Sequence, residues 1–247
     1  MGWHEQLFRY CERGLDSAFW AEPLNAVSNL AFLVVAVTMA RRIMALPTAV
    51  PNVDRAALNL MVALVAVVAV GSFLFHTFAT RWALIADAAP IALFMVAYLT
   101  FALRVMLGLG WTGTVAIMAA FLAVSAILSS VACPSKVARG VLPAMGEPCL
   151  KGTVGYVPAL FALVVTGSLL RRRHPAGRDL LAAAAVFFFA MLLRWLDRDL
   201  CQATWVFGAV RGTHALWHLL NAVVIAMLMS AAINAVASTK PVREHPR

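Results

Sequence analysis

Charge is scarce in this chain. Asp, Glu, Lys and Arg make up 13% of its 247 residues, while hydrophobic residues reach 63%. A soluble domain is about a quarter charged, so the shortage argues against a water-soluble enzyme, a disordered chain or a coiled coil. A cleavable signal peptide is not expected either. Glu5, Arg9, Glu12, Arg13, Asp16 and Glu22 all precede Pro23 and leave no room for an apolar h-region. Cysteine is sparse, and the spacing of Cys11, Cys133, Cys149 and Cys201 matches no zinc finger. The alternation of a membrane β-barrel is missing too, as Leu58-Asn59-Leu60-Met61-Val62-Ala63-Leu64-Val65 shows.

What is present is a series of long apolar runs, at 24–40, 56–76, 82–103, 105–132, 154–170, 180–196 and 213–236. A membrane helix needs ~20 such residues, and in lipid the backbone must bond within its own segment. The expected fold is therefore an all-α seven-transmembrane helix bundle. Residues 1–239 would form one domain and 240–247 a polar tail. Pro134 to Gly155 reads as a Pro/Gly-rich loop, and Arg171 to Gly177 as another. Extending the sixth run to Leu196 buries or snorkels Arg194. No internal repeat is visible.

Lys and Arg outnumber Asp and Glu by 20 to 11, a net charge of +9. The excess sits between apolar runs, at Arg41-Arg42, Arg171-Arg172-Arg173 and Lys240, Arg243 and Arg247. That pattern fits leaflet anchoring, and no nucleic-acid partner is expected. An odd number of spans puts the termini on opposite sides. The basic residues lean slightly toward the C-terminal side, and all four cysteines fall on the N-terminal side. Disulfides persist outside the cytosol, so both clues favour N-terminus out and C-terminus in. The expected location is a bacterial inner membrane with the site toward the periplasm.

Ionisable side chains in lipid are costly and mark cavities or function. Four stand out: His76, Asp87, His214 and His218, all at the outer end of their helices. His214 and His218 are four apart and share a helix face, which suits two ligands on one metal. His76 would complete three histidine ligands and leave one position open, the pattern of a catalytic zinc. Asp87 would act as general base and then acid, or as an orienter of a ligand. Ser72 lies one turn before His76 and would reach the water or an oxyanion. Two other readings compete: haem held by the histidine pair, and a proton or solute path through His and Asp. His4, His174 and His245 read as interfacial.

The segment before the first helix is unusual. Glu12, Asp16 and Glu22 place three carboxylates near the bundle mouth, and such hard oxygen ligands suit calcium, though not as an EF-hand. They read equally as a solvated loop paired with Arg9, Arg13 or Arg198. Asn25 and Ser28 are three apart, as polar contacts between helices require. The four cysteines allow three pairings, or none.

The ordered set Tyr10-Cys11-Glu12, Ala21-Glu22-Pro23-Leu24-Asn25-Ala26-Val27-Ser28-Asn29, Ser72-x-x-x-His76, Asp87 and His214-x-x-x-His218 resembles the alkaline ceramidase family. That family lies within the seven-helix membrane hydrolases that include the adiponectin receptors. The resemblance implies cleavage of the N-acyl amide of ceramide, or a related membrane lipid substrate, to a long-chain base and a fatty acid. It implies zinc on His76, His214 and His218, catalytic roles for Asp87 and Ser72, and a Cys11–Cys201 disulfide. It also implies calcium in the N-terminal segment with Glu12 and Glu22. There the pattern departs, because Arg9 and Gly14 stand where the animal enzymes carry aspartate and asparagine. Asp16 is the carboxylate that would substitute. A receptor-like role without hydrolysis is the alternative.

Overall fold

A computed structural model describes residues 2–133, 149–172 and 174–238. The expected tail 240–247, His245, Arg173 and most of the Pro134–Gly155 loop lie outside the described residues. Among the described residues, seven helical segments are long and apolar enough to cross a membrane. The first span holds two helices, α1 (Pro23–Ser28) and α2 (Leu30–Met44). Pro23 opens α1, where its missing N–H costs nothing. The break falls at Asn29, whose side-chain amide donates to the Asn25 and Ala26 carbonyls at 2.8 and 3.3 Å and competes with the helix ladder.

Helix α3 (Asn52–Phe78) ends on Ala79 in the left-handed region, and α4 (Arg81–Phe101) starts two residues on. So short a turn forces α3 and α4 to lie antiparallel as neighbours. Gly71 lets their backbones close up: a Cβ there would run into the Ala86 carbonyl. α4 continues as one π turn (Ala102–Met106). The fourth expected run, 105–132, starts later than read. Gly108 adopts a left-handed backbone (φ 68°), and α5 begins only at Trp111 and ends at Ser130.

The end of the expected loop is also structured. Cys149–Tyr156 forms 3₁₀ turns with Leu150, Lys151 and Gly152 at positive φ, and these lead into α6 (Val157–Leu170). α7 (Ala176–Leu196) begins four residues before the expected 180, with Arg178 and Asp179 in its first turn. A small hairpin, β1 (Trp205–Val206) and β2 (Ala209–Val210), precedes α8 (His214–Ser238) and adds two short strands to the helical bundle.

α3 and α8 are the central helices. Half of the most apolar window of each is buried, against 11% for α5 at the edge. α2 packs on α3 and α8, and α7 joins α8 to α6. The core runs between them through Leu58, Met61, Val65, Leu180, Met229 and Ile233. Leu60, Val67 and Val70 on α3 and Leu216 and Val223 on α8 stay exposed, as side chains facing hydrocarbon do. One polar group deep in the spans is tied across helices: the Tyr98 hydroxyl donates to the Leu228 carbonyl at 3.0 Å.

Candidate metal centre

His76 lies in the last turn of α3, and His214 and His218 lie in the first turns of α8. Because α3 and α8 are in contact, their histidine-bearing ends meet at one level. The imidazole centroids are 5.1 Å apart for His76 and His214, 4.8 Å for His76 and His218, and 4.6 Å for His214 and His218. All three residues are buried, and one ring nitrogen from each lies within 4.8 Å of the others. No other group of three or more His, Cys, Asp or Glu side chains with this property occurs among the described residues. Rings this close leave no slot for a porphyrin, which removes the haem reading.

The hydrogen bonds settle which nitrogens are free. His76 Nδ1 is 2.6 Å from Glu22 Oε2, so Nδ1 carries the proton, and Nε2 is buried without a partner. Ser28 spends its one hydrogen on the Asn25 carbonyl at 2.8 Å. Its oxygen must therefore accept from His218 Nδ1, 2.7 Å away, which leaves Nε2 of His218 as a lone pair. His214 Nδ1 is likewise buried and unpartnered. Buried polar atoms are nearly always satisfied, so unpartnered nitrogens converging on one point fit a cation. Three imidazoles, two of them backed by a hydroxyl or a carboxylate, are the donor set that zinc prefers.

The N-terminal segment roofs this cluster. Leu7 N donates to the Ala79 carbonyl at 2.6 Å, and Gln6 bridges to Thr80, which ties the segment to the α3–α4 turn. Tyr10 then stacks on His214 with centroids 3.7 Å apart. Burial pushes the Tyr10 hydroxyl up to about 12. Cys11 is disulfide-bonded to Cys201, and Cys133 to Cys149. The Cys11 N–H donates to Asp197 Oδ2 at 2.8 Å, and Oδ1 of the same carboxylate accepts from Thr213 N and His214 N at 2.7 and 2.9 Å. Asp197 thus caps α8 from outside it, at the point where the first histidine is set. Its burial raises the carboxyl against those hydrogen bonds. Gly212 (φ 69°) gives it room, since a Cβ there would collide with the carboxylate.

Glu12, Asp16 and Glu22, expected as a calcium set, are not gathered. Glu12 accepts from Leu24 N and Asn25 N at 2.9 and 2.8 Å and pairs with Arg211 at 3.0 Å. Asp16 accepts from Ala18 N. Glu22 holds His76, Asn25 and Arg13. Burial alone would raise the Glu22 carboxyl, but the bonds to His76, Asn25 and Arg13 outweigh it and hold it below its ordinary value. Arg13 is buried and places all five guanidinium donors: on Glu22 at 2.6 Å and on the carbonyls of Asp16, Ala18, His76 and Thr77 at 3.2, 2.9, 3.0 and 3.1 Å. One carboxylate and four carbonyls form the kind of oxygen cage that calcium takes, and here the cage closes on a cation of the chain itself. These residues do not fit a calcium ion.

Ser72 is one turn before His76 on α3 and is buried. Across the Gly71–Ala86 approach its hydroxyl hydrogen-bonds the carboxylate of Asp87, in the second turn of α4. Asp87 is half-buried, with part of its surface open. Sequence reasoning gave Ser72 to the water or an oxyanion; in the structure its hydroxyl meets the Asp87 carboxylate. It also missed Tyr10, Arg13 and Asp197 as supports of the cluster. The available signals were a buried-type tyrosine beside a cysteine and an aspartate four residues before Cys201. Asn221, three residues after His218 on α8, donates to the Trp217 carbonyl of its own helix at 2.7 Å.

A protein-family model described as Ceramidase matches residues 8–245. No curated protein matches the chain.

Proposed function

This chain belongs to the ceramidase family, and on that premise we propose how its own residues carry out the hydrolysis. The protein is a zinc-dependent intramembrane amidohydrolase acting on ceramide-like lipids. The observation that carries the assignment is the convergence of three buried imidazoles, with ring nitrogens of His76 and His214 left unpartnered.

His76, His214 and His218 would hold the metal. When bound, zinc supplies Lewis-acid polarisation of the amide carbonyl and makes water a better nucleophile near neutral pH. Glu22 and Ser28 fix the tautomers of His76 and His218, so both rings present a lone pair inward. Asp87 takes a proton from the attacking water. The water oxygen bonds the carbonyl carbon, the C–N bond breaks, and the proton passes from Asp87 to the departing nitrogen. The products are a fatty acid and a long-chain amine. Ser72 holds the Asp87 carboxylate in line and is a positioning group. Tyr10 closes the water-side mouth over His214. The lipid enters from the bilayer, between helices.

The N-terminus and the site lie on the periplasmic face of a bacterial inner membrane in this reading, and the C-terminus lies inside. The two disulfides at the site's end support it, because such bonds persist in oxidising compartments. No step in this mechanism uses calcium.

The test is zinc content and fatty-acid release measured on detergent-purified protein over a panel of ceramides and other N-acyl lipids. Stoichiometric zinc with release is expected, and His76→Ala should lose both. Asp87→Asn should keep zinc and lose roughly 100- to 10,000-fold in turnover, the usual worth of a general acid–base. Wild-type turnover in Asp87→Asn would remove the role given to that residue.

A further inference from the structure

We propose that Arg194 is a carboxylate-binding subsite beside the metal centre. The residue sits in the last turn of α7, inside a membrane span. A cation there ordinarily pairs with a carboxylate. Other basic residues at this end do so: Arg13 with Glu22, Arg211 with Glu12, Lys151 with Asp199. The Arg194 guanidinium instead faces three aromatic rings, those of Tyr10, Tyr156 and Trp217, at 5.6, 5.6 and 5.4 Å. Ring faces offset part of the cost of a buried cation. They do not satisfy its N–H groups. Nη1 donates to the Tyr10 hydroxyl at 2.8 Å, while Nε is buried and has no partner.

The position matters as much as the unmet donor. Tyr10, which Arg194 holds, stacks on His214, and Trp217 lies on α8 between the two histidines of that helix. Asp87 is within electrostatic reach of the guanidinium. The guanidinium therefore stands one ring away from the metal centre, with a donor to spare and a planar fork that matches a carboxylate. Amide hydrolysis turns a neutral carbonyl into a carboxylate within the apolar helix bundle, where an unpaired anion is costly. Two sources supply the same chemistry: the released fatty acid, or a carboxylate already carried by an N-acyl amino acid lipid. The product source rests on the hydrolase reading, and binding itself does not.

The experiment uses zinc-quantified full-length protein in zwitterionic nanodiscs. Palmitic acid, N-palmitoylglycine and palmityl alcohol are titrated against wild type, Arg194→Gln and Arg194→Lys. Arg194→Gln should weaken binding of one or both carboxylates by roughly 10- to 100-fold, the worth of a charge-assisted hydrogen bond. Alcohol affinity and zinc content should stay unchanged, and Arg194→Lys should recover part of the loss. Initial rates then separate the sources. A subsite for the product raises the inhibition constant of palmitate in Arg194→Gln, and a subsite for substrate lowers kcat/KM for N-palmitoylglycine more than for ceramide. Equal weakening of acid and alcohol, loss of zinc, or no change in acid binding would overturn the proposal. If no lipid is cleaved by wild type but the acid still depends on Arg194, the hydrolase reading fails and the subsite stands.

Discussion

Five hydrogen bonds end on the Arg13 guanidinium, and two of them hold the carbonyls of His76 and Thr77 at the end of α3. The same guanidinium fixes Glu22, which fixes His76. Arg13→Lys keeps the charge but loses the planar fork, so zinc affinity, measured by competition with a chromophoric chelator, is expected to fall by about 10-fold or more. Ser28→Ala should lower it by a similar factor through His218. Unchanged affinity in both variants would mean that the imidazoles hold their tautomers without help. Because Arg13 already fills the oxygen cage, added calcium should leave the melting temperature of wild type unchanged. A saturable calcium-dependent rise would show that the N-terminal carboxylates regroup around an ion.

Between helices, the point of least tolerance is Gly71. A methyl group there meets the α4 backbone rather than a movable side chain. Gly71→Ala is expected to cost about 1–3 kcal/mol by overpacking and to move Asp87 away from Ser72. Turnover should then fall further than zinc binding, and equal losses in both would point to general unfolding. The seven spans were legible because apolar length alone marks them. The histidine cluster was legible because ionisable residues at one depth in lipid are rare. The start of α5 was misread, since Gly108 and Gly110 sit inside an apolar run and only backbone angles show that they break it. The supports were hidden for another reason. Glu22 meets His76, Ser28 meets His218, and Asp197 meets Cys11 across separations of 54, 190 and 186 residues, which no local spacing encodes. Three acidic residues close in sequence looked like one ion site, yet each serves a different neighbour.

For the molecule as a whole, the Cys11–Cys201 bond closes a loop with a sequence separation of 190 residues. In a free chain, a loop that long is worth about 5 kcal/mol of denatured-state entropy. Helices held in a bilayer have already lost much of that freedom, so the double variant Cys11→Ser/Cys201→Ser should lose less than this, read from its thermal inactivation. Zinc occupancy at low temperature should survive, because Asp197 and Tyr10 still anchor the segment. A loss of metal at low temperature would show that the bond, not the packing, holds the roof. The same span of sequence imposes an order on biosynthesis. Residues around Tyr10 leave the ribosome first, while Cys201, His214 and His218 come near the end. Until the sixth and seventh spans have been inserted, Cys11 has no native partner and Tyr10 no imidazole to cover. A hydrolytic centre that needs His214 and His218 from the last span stays incomplete until synthesis is nearly over, so the nascent protein cannot begin to degrade the lipids of the membrane that is receiving it.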